Sequence, residues 1–200
     1  AKLLQFFQKN SPEGEGRNLT PSHPKDQEGS FPMTRTERSL DPPAPPAHVH
    51  EMTRPEIDQF LTCARVGRIG MIAKGAPYIV PVGYGYAEGK IFFHTCREGM
   101  KMEAMRANPR VCFEVDESLS DGSLAKSVII FGRIEVIEEK EKMIPYLEKL
   151  IDKYRAPASF AEYMRRGNRN VKEELETVRV CLLTPYQITG KAVVRTNSNF

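Results

Sequence analysis

Between Val66 and His94 three apolar, β-branched runs follow one another with almost nothing between them. They cover 66–73, 77–86 and 90–94, and the joints carry the turn pairs Lys74-Gly75 and Glu88-Gly89. Parallel neighbours need a crossover of a dozen or more residues, so gaps this short admit only antiparallel strands joined as hairpins. The consequence is an antiparallel meander at the centre of the chain.

The flanking segments show how that meander is completed. Thr53 to Glu56 reads T-x-x-E with Pro55 in the first turn, a capping-box signature, and Ile57, Phe60, Leu61 and Ala64 follow at helical spacing. A short amphipathic helix is expected there. Beyond His94 the pattern predicts a helix over 100–107 stopped by Asn108-Pro109, a strand over 111–115 and a long β-branched strand over 127–137. A helix over 138–154 follows, with Met143, Leu147, Leu150, Ile151 and Tyr154 on one face, although Pro145 argues against its being unbroken. A shorter helix near 160–165 and a strand over 177–184 close the domain. Six or so strands with helices inserted at two places fit a mainly β fold, a closed or nearly closed antiparallel barrel, better than a parallel α/β sheet.

Residues 1–51 differ from the rest. Pro12, Pro21, Pro24, Pro32, Pro42, Pro43, Pro45 and Pro46 punctuate a polar stretch that cannot bury enough apolar surface to fold alone. The division expected is a Pro-rich arm or linker over 1–51, resting on a neighbouring subunit, and one domain over 52–200. The pair Gly29-Ser30 resembles a fusion scar, which would make Met33 the natural start.

Charge and cysteine usage narrow the function classes. The net charge of +3 is spread without a Lys/Arg block, which argues against a nucleic-acid partner. No apolar run approaches the roughly 20 residues that span a bilayer, so no membrane association and a cytoplasmic location are expected. Cys63, Cys96, Cys112 and Cys181 form no C-x-x-C pair and have no His at zinc-finger spacing. Mostly buried thiols and no metal site are the expectation, with a redox thiol at Cys96 as the alternative.

Two places carry chemistry. In the run 77–86, Pro81, Gly83 and Gly85 weaken the pairing that a core strand wants. Either the backbone there is approached by a flat ligand, or a barrel corner needs small residues to bend. At the end of the third run, His94 and Thr95 lie six or seven residues ahead of Lys101, near the start of the next predicted helix, with Arg97 between. A hydroxyl, an ammonium and helix N-terminal N–H groups suit a phosphate. The competing reading is a solvated lysine and a histidine that merely ends a strand.

The longer pattern bears on that choice. It consists of G-x-P-Y-x-V-P-V from Gly75, F-H-T ending at Thr95, G-x-K from Gly99 to Lys101, N-P-R-V-C-F-E-V-D from Asn108 and S-V-I-x-F-G from Ser127. In order and spacing this resembles the pyridoxamine-phosphate-oxidase-like FMN-binding split β-barrels, and among them the nitroimidazole-resistance (Nim-type) flavoproteins. The resemblance implies a homodimer holding two FMN molecules at the subunit interface. It implies that the backbone of Val80, Pro81, Val82, Gly83 and Tyr84 faces the flavin ring. It places the ribityl phosphate at His94, Thr95 and Lys101, with Met100 close by, and brings Ser127 and Val128 to the flavin across the interface.

Two departures bear on function. The chain has no Trp, whereas Nim-like sequences often carry one shortly before the S-V-I strand. The Arg-rich C-terminal substrate motif of true pyridoxamine phosphate oxidases is absent, since the end reads Ile188-Thr189-Gly190-Lys191-Ala192, which argues against vitamin B6 oxidation. The expected activity is an FMN-dependent reduction of a small, nitroaromatic-type acceptor, in which the flavin does the redox chemistry. The alternatives are a carrier or sensor that holds FMN without turnover, and a barrel that holds haem, with His94 as ligand, or a deazaflavin.

Overall fold

The computed structural model describes residues 47–119, 124–155 and 157–195. The expectations for the stretch before Ala47, its resting place and the start at Met33, lie outside them. The strands are β1 (Ala47–Glu51), β2 (Val66–Ala73), β3 (Ala76–Gly83), β4 (Gly85–Ala87), β5 (Lys90–Cys96), β6 (Arg110–Ser118), β7 (Leu124–Ile137) and β8 (Val178–Arg195). The helices are α1 (Arg54–Cys63), α2 (Met100–Ala107), α3 (Lys140–Tyr154), α4 (Phe160–Arg166) and α5 (Val171–Thr177).

The hairpins form where the turn residues place them. Lys74 and Gly75 have φ of 52° and 81°, and Glu88 and Gly89 have 53° and 73°, the left-handed pair that a two-residue hairpin of the right twist demands. At the start of α1 the Glu56 carboxylate accepts from the Thr53 backbone N–H at 2.7 Å and from its hydroxyl at 2.8 Å. These bonds hold Glu56 below the usual carboxylate range.

All strand pairs are antiparallel, in the order β3-β2-β6-β7-β8-β5-β4, with β1 added to β8. The two ends of that path, β3 and β4, are consecutive in the chain with only Tyr84 between them. The chain itself thus joins the two edges, and the sheet curls into the split barrel expected of a mainly β fold with inserted helices.

Several elements differ from the sequence reading. The run 77–86 is two strands, because β3 pairs with β2 as far as Gly83 and β4 pairs with β5 from Gly85 onward. Gly85 is small for a packing reason: a Cβ there would fall 2.2 Å from the Phe92 ring. The closing strand does not stop at Thr184 but runs on to Arg195. Pro185 sits at a bulge, where Phe131 faces Gln187 and Gly132 faces Pro185, leaving Tyr186 as the extra residue. Helix α3 continues through Pro145, which is exposed and near its start. A few kcal/mol of proline penalty is outweighed by burying Met143, Leu147, Leu150 and Ile151 against the sheet. Strand β1 and helix α5 have no counterpart in the sequence reading.

Two apolar cores result from the strand alternation. Inside the barrel lie Ile69, Phe93, Phe113, Val128, Ile130 and Leu183. Outside it, between the sheet and α3 to α5, lie Phe92, Val180, Leu182, Met143, Leu150 and Met164. Neighbouring residues of β5 thus serve different layers: Phe93 points into the barrel, and Phe92 toward the helices. Of the cysteines, Cys181 is buried, Cys96 and Cys112 are half-buried and Cys63 is exposed, so the expected burial holds fully only for Cys181. Among the described residues no helix is long and apolar enough to cross a membrane, and no group of His, Cys, Asp and Glu is placed to hold a metal ion.

Candidate functional site

A pocket of about 230 Å³ opens between the barrel wall and the helical layer. Its barrel side is made by Val82 and Gly83 at the end of β3, His94 on β5 and Val178 at the start of β8. Lys101 enters from the first turn of α2. The helical side is made by Leu147, Leu150 and Tyr154 of α3 and Phe160 and Met164 of α4, with Glu174 of α5. Most of the wall is apolar, and His94, Lys101, Glu174, Arg65 and Arg155 bring polar groups to it.

Lys101 is the second residue of α2, whose N-cap Gly99 takes φ of 112°, a conformation that favours glycine. The side chain is half-buried, and its ammonium lies 5.9 Å from the centre of the Phe93 ring. Among the described residues no carboxylate pairs with it. Burial draws its pKa below the ordinary lysine value. A half-buried cation facing a pocket without a counter-ion favours an anion.

His94 lies opposite Val180 on β8 and shares the outer side of β5 with Phe92. Burial, with Lys101 and Arg169 nearby, pushes its imidazole down to about 4. It is therefore neutral at pH 7, able to donate from one ring nitrogen and accept at the other. Arg169 itself is paired with Glu174 at 3.1 Å, both mostly shielded from solvent.

Four of the sequence-predicted residues, Val82, Gly83, His94 and Lys101, line one pocket. The others lie elsewhere. Thr95 is buried on the opposite face of β5, paired across to Arg179, because alternate strand residues face opposite ways. Val80 packs against the barrel interior and Pro81 is exposed. The Tyr84 ring is buried in the barrel, with its hydroxyl donating to the Leu61 carbonyl at 2.8 Å. Met100 is exposed at the start of α2. Val128 is buried in the barrel, and Ser127 lies beside it on β7, paired with Asp116 and Lys191.

The wall from α3 and α4 was not foreseen as part of a site. The apolar stripe of α3 was visible in the sequence, but periodicity says that a face is buried, not what it covers. Arg65 also lines the pocket, stacked on the Tyr154 ring at 4.8 Å, and no sequence pattern pointed to that pair.

Comparison with known proteins agrees with this architecture. Residues 53–192 match the family described as pyridoxamine 5'-phosphate oxidase. An uncharacterised protein of Rhizobium meliloti is 29% identical over 87 residues, 44% of this chain, and the match spans 56% of that relative's length. The fold is similar to the crystal structure of a candidate 5-nitroimidazole antibiotic resistance protein from Bacteroides thetaiotaomicron, with a TM-score of 0.62 and 21% identity over 74% of this chain and 89% of that one. It is similar too to an FAD-binding protein from Mesorhizobium loti, with a TM-score of 0.55 and 26% identity over 72% and 97% of the two chains. On the family match and the shared barrel, this chain belongs to the pyridoxamine 5'-phosphate oxidase family of flavin-binding split barrels.

Proposed function

We propose that the chain is an FMN-binding oxidoreductase that reduces a small acceptor, of nitroaromatic type, in the pocket between the barrel and α3–α4. The observation that carries the reading is the meeting of Lys101, His94 and Gly83 in one chamber with an apolar wall. Lys101 would hold a phosphate as a point charge, aided by the N–H groups of the first turn of α2. His94, held neutral, would hydrogen-bond the phosphate or ribityl oxygens rather than add a second charge. Gly83 brings backbone close to the pocket with no side chain in the way, and the apolar wall excludes water.

Bound flavin supplies the redox chemistry itself. FMN is the flavin that the motif order implies, and the Lys101 ammonium in a pocket also lined by Glu174 suits a single phosphate. Binding of FAD by the Mesorhizobium loti protein makes FAD the natural competitor in any titration.

The reading includes a homodimer. On the outer side of the sheet Ile79, Gly70, Cys112 and Phe131 stand in one row across β3, β2, β6 and β7. Ile79 is 66% exposed and Phe131 39%, and Ile129 and Ser127 continue the same face of β7. A second copy that covers this face would bring Ser127 to an interface.

Two titrations and one assay test the proposal. Apoprotein is titrated with FMN and with FAD, and the loaded, chemically reduced protein is then mixed with a nitroaromatic acceptor. Tighter binding of FMN, and reoxidation faster than that of free reduced FMN, are expected. Binding without acceptor-dependent reoxidation would make the protein a carrier or sensor. A second reading, haem with His94 as axial ligand, is favoured by the neutral imidazole at an apolar chamber. A Soret band on reconstitution would select it.

A further inference from the structure

The passage from β3 to β4 leaves one residue outside both ladders. Gly83 is the last residue of β3 paired with β2, and Gly85 the first of β4 paired with β5, so Tyr84 has no strand partner. A buried peptide group in that position must find its hydrogen bonds elsewhere. It finds them on a side chain 70 residues later in the chain. The Tyr84 N–H donates to the Tyr154 hydroxyl oxygen at 2.8 Å, and that hydroxyl lies 2.9 Å from the Tyr84 carbonyl oxygen. The Arg65 carbonyl is also within its reach. With one proton to give, the phenol donates to one of these carbonyls at a time.

The last turn of α3 grips the same place a second time. The Lys153 ammonium lies 4.3 Å over the Tyr84 ring, and its nitrogen is buried with no hydrogen-bond partner. The Arg65 guanidinium also lies over the Tyr154 ring, 4.8 Å from its centre. Tyr154, Gly83 and Arg65 all line the pocket, and a Cβ added at Gly83 would lie 3.4 Å from the Tyr154 hydroxyl.

We propose that Tyr154 is a positioning residue of the flavin site. Its hydroxyl stands in for the missing strand at Tyr84 and so fixes the backbone next to Gly83, which lines the pocket. The inference rests on the flavin reading above. A tyrosine that only packed would need its ring alone, whereas here the hydroxyl makes the contacts with the backbone.

The test compares the wild type, Tyr154→Phe and Met143→Ala. The first variant keeps the ring and loses the hydroxyl; the second cuts a buried side chain of the same helix away from the pocket. FMN affinity, the visible bands of bound flavin, its midpoint potential and thermal unfolding are measured on each. For Tyr154→Phe we expect affinity to fall about tenfold, the scale of one lost hydrogen bond, with the bands and potential of the bound flavin displaced. For Met143→Ala we expect lower thermal stability with wild-type bands and potential. A Tyr154→Phe protein with wild-type affinity, bands and potential would overturn the proposal while leaving the flavin reading intact. A wild type that takes up neither FMN nor FAD would overturn both. If Tyr154→Phe does not fold, fluorotyrosine at position 154 keeps the contact and changes only its strength. Displaced bands or affinity then support the proposal, and wild-type values overturn it.

Discussion

At the scale of single residues, Lys101 and His94 both line the pocket, and each makes a distinct prediction. If Lys101 contacts phosphate, Lys101→Ala costs about 1–3 kcal/mol of FMN binding, the scale of a charge-assisted hydrogen bond. The apoprotein fold should stay nearly unchanged, because burial disfavours the cation removed. Isothermal titration and thermal unfolding of the same variant check both halves. For His94, the folded state holds the imidazole near 4 while the unfolded chain has the ordinary value of 6.5. Between these values the unfolded state binds more protons, so stability falls as pH drops through that window. His94→Gln should flatten that part of the stability profile measured by urea unfolding from pH 7 to pH 4. A variant with the same slope as wild type would assign the acid sensitivity to the carboxylates.

At the scale of elements, the hairpins were legible because the turn pairs Lys74-Gly75 and Glu88-Gly89 leave few turn geometries, and α1 was legible from the reciprocal bonds that Thr53 and Glu56 invite. The break at Tyr84 was not, since nothing in 77–86 shows which side each half pairs with. Nor was the length of β8, because Pro185 reads as a terminator until a bulge absorbs it. Gly85 had two readings, close approach of a ligand or a barrel corner, and its position against the ring of its cross-strand partner Phe92 gives a third reason, packing. Gly85→Ala should therefore destabilise the fold by about 1–3 kcal/mol through overpacking. A smaller residue at Phe92 should recover part of that loss in a double-mutant cycle. Equal destabilisation with Phe92 intact or reduced would remove the contact from the explanation.

At the scale of the whole molecule, the mainly β barrel followed from strand spacing, and the flavin assignment followed from motif order and not from composition. Only part of the site could be read in this way. His94, Lys101, Val82 and Gly83 meet because the barrel closes, whereas Thr95, adjacent to His94 in sequence, faces the other layer. The helical wall depends on how α3 and α4 dock, which a single chain's periodicity does not specify. The outer face of the sheet carries the proposed dimer, and it gives the prediction at this scale. Phe131→Lys with Ile79→Lys should shift sedimentation from a dimer to a monomer while leaving the far-ultraviolet spectrum unchanged. A wild-type protein that sediments as a monomer would remove the interface.

The central proposal is that the pocket holds FMN. The most direct measurement is the visible absorption spectrum of the purified protein, with the chromophore released by denaturation and identified by mass. The two-band spectrum of oxidised flavin and the mass of FMN are expected. A haem band, or a colourless protein that takes up no FMN on reconstitution, would contradict it.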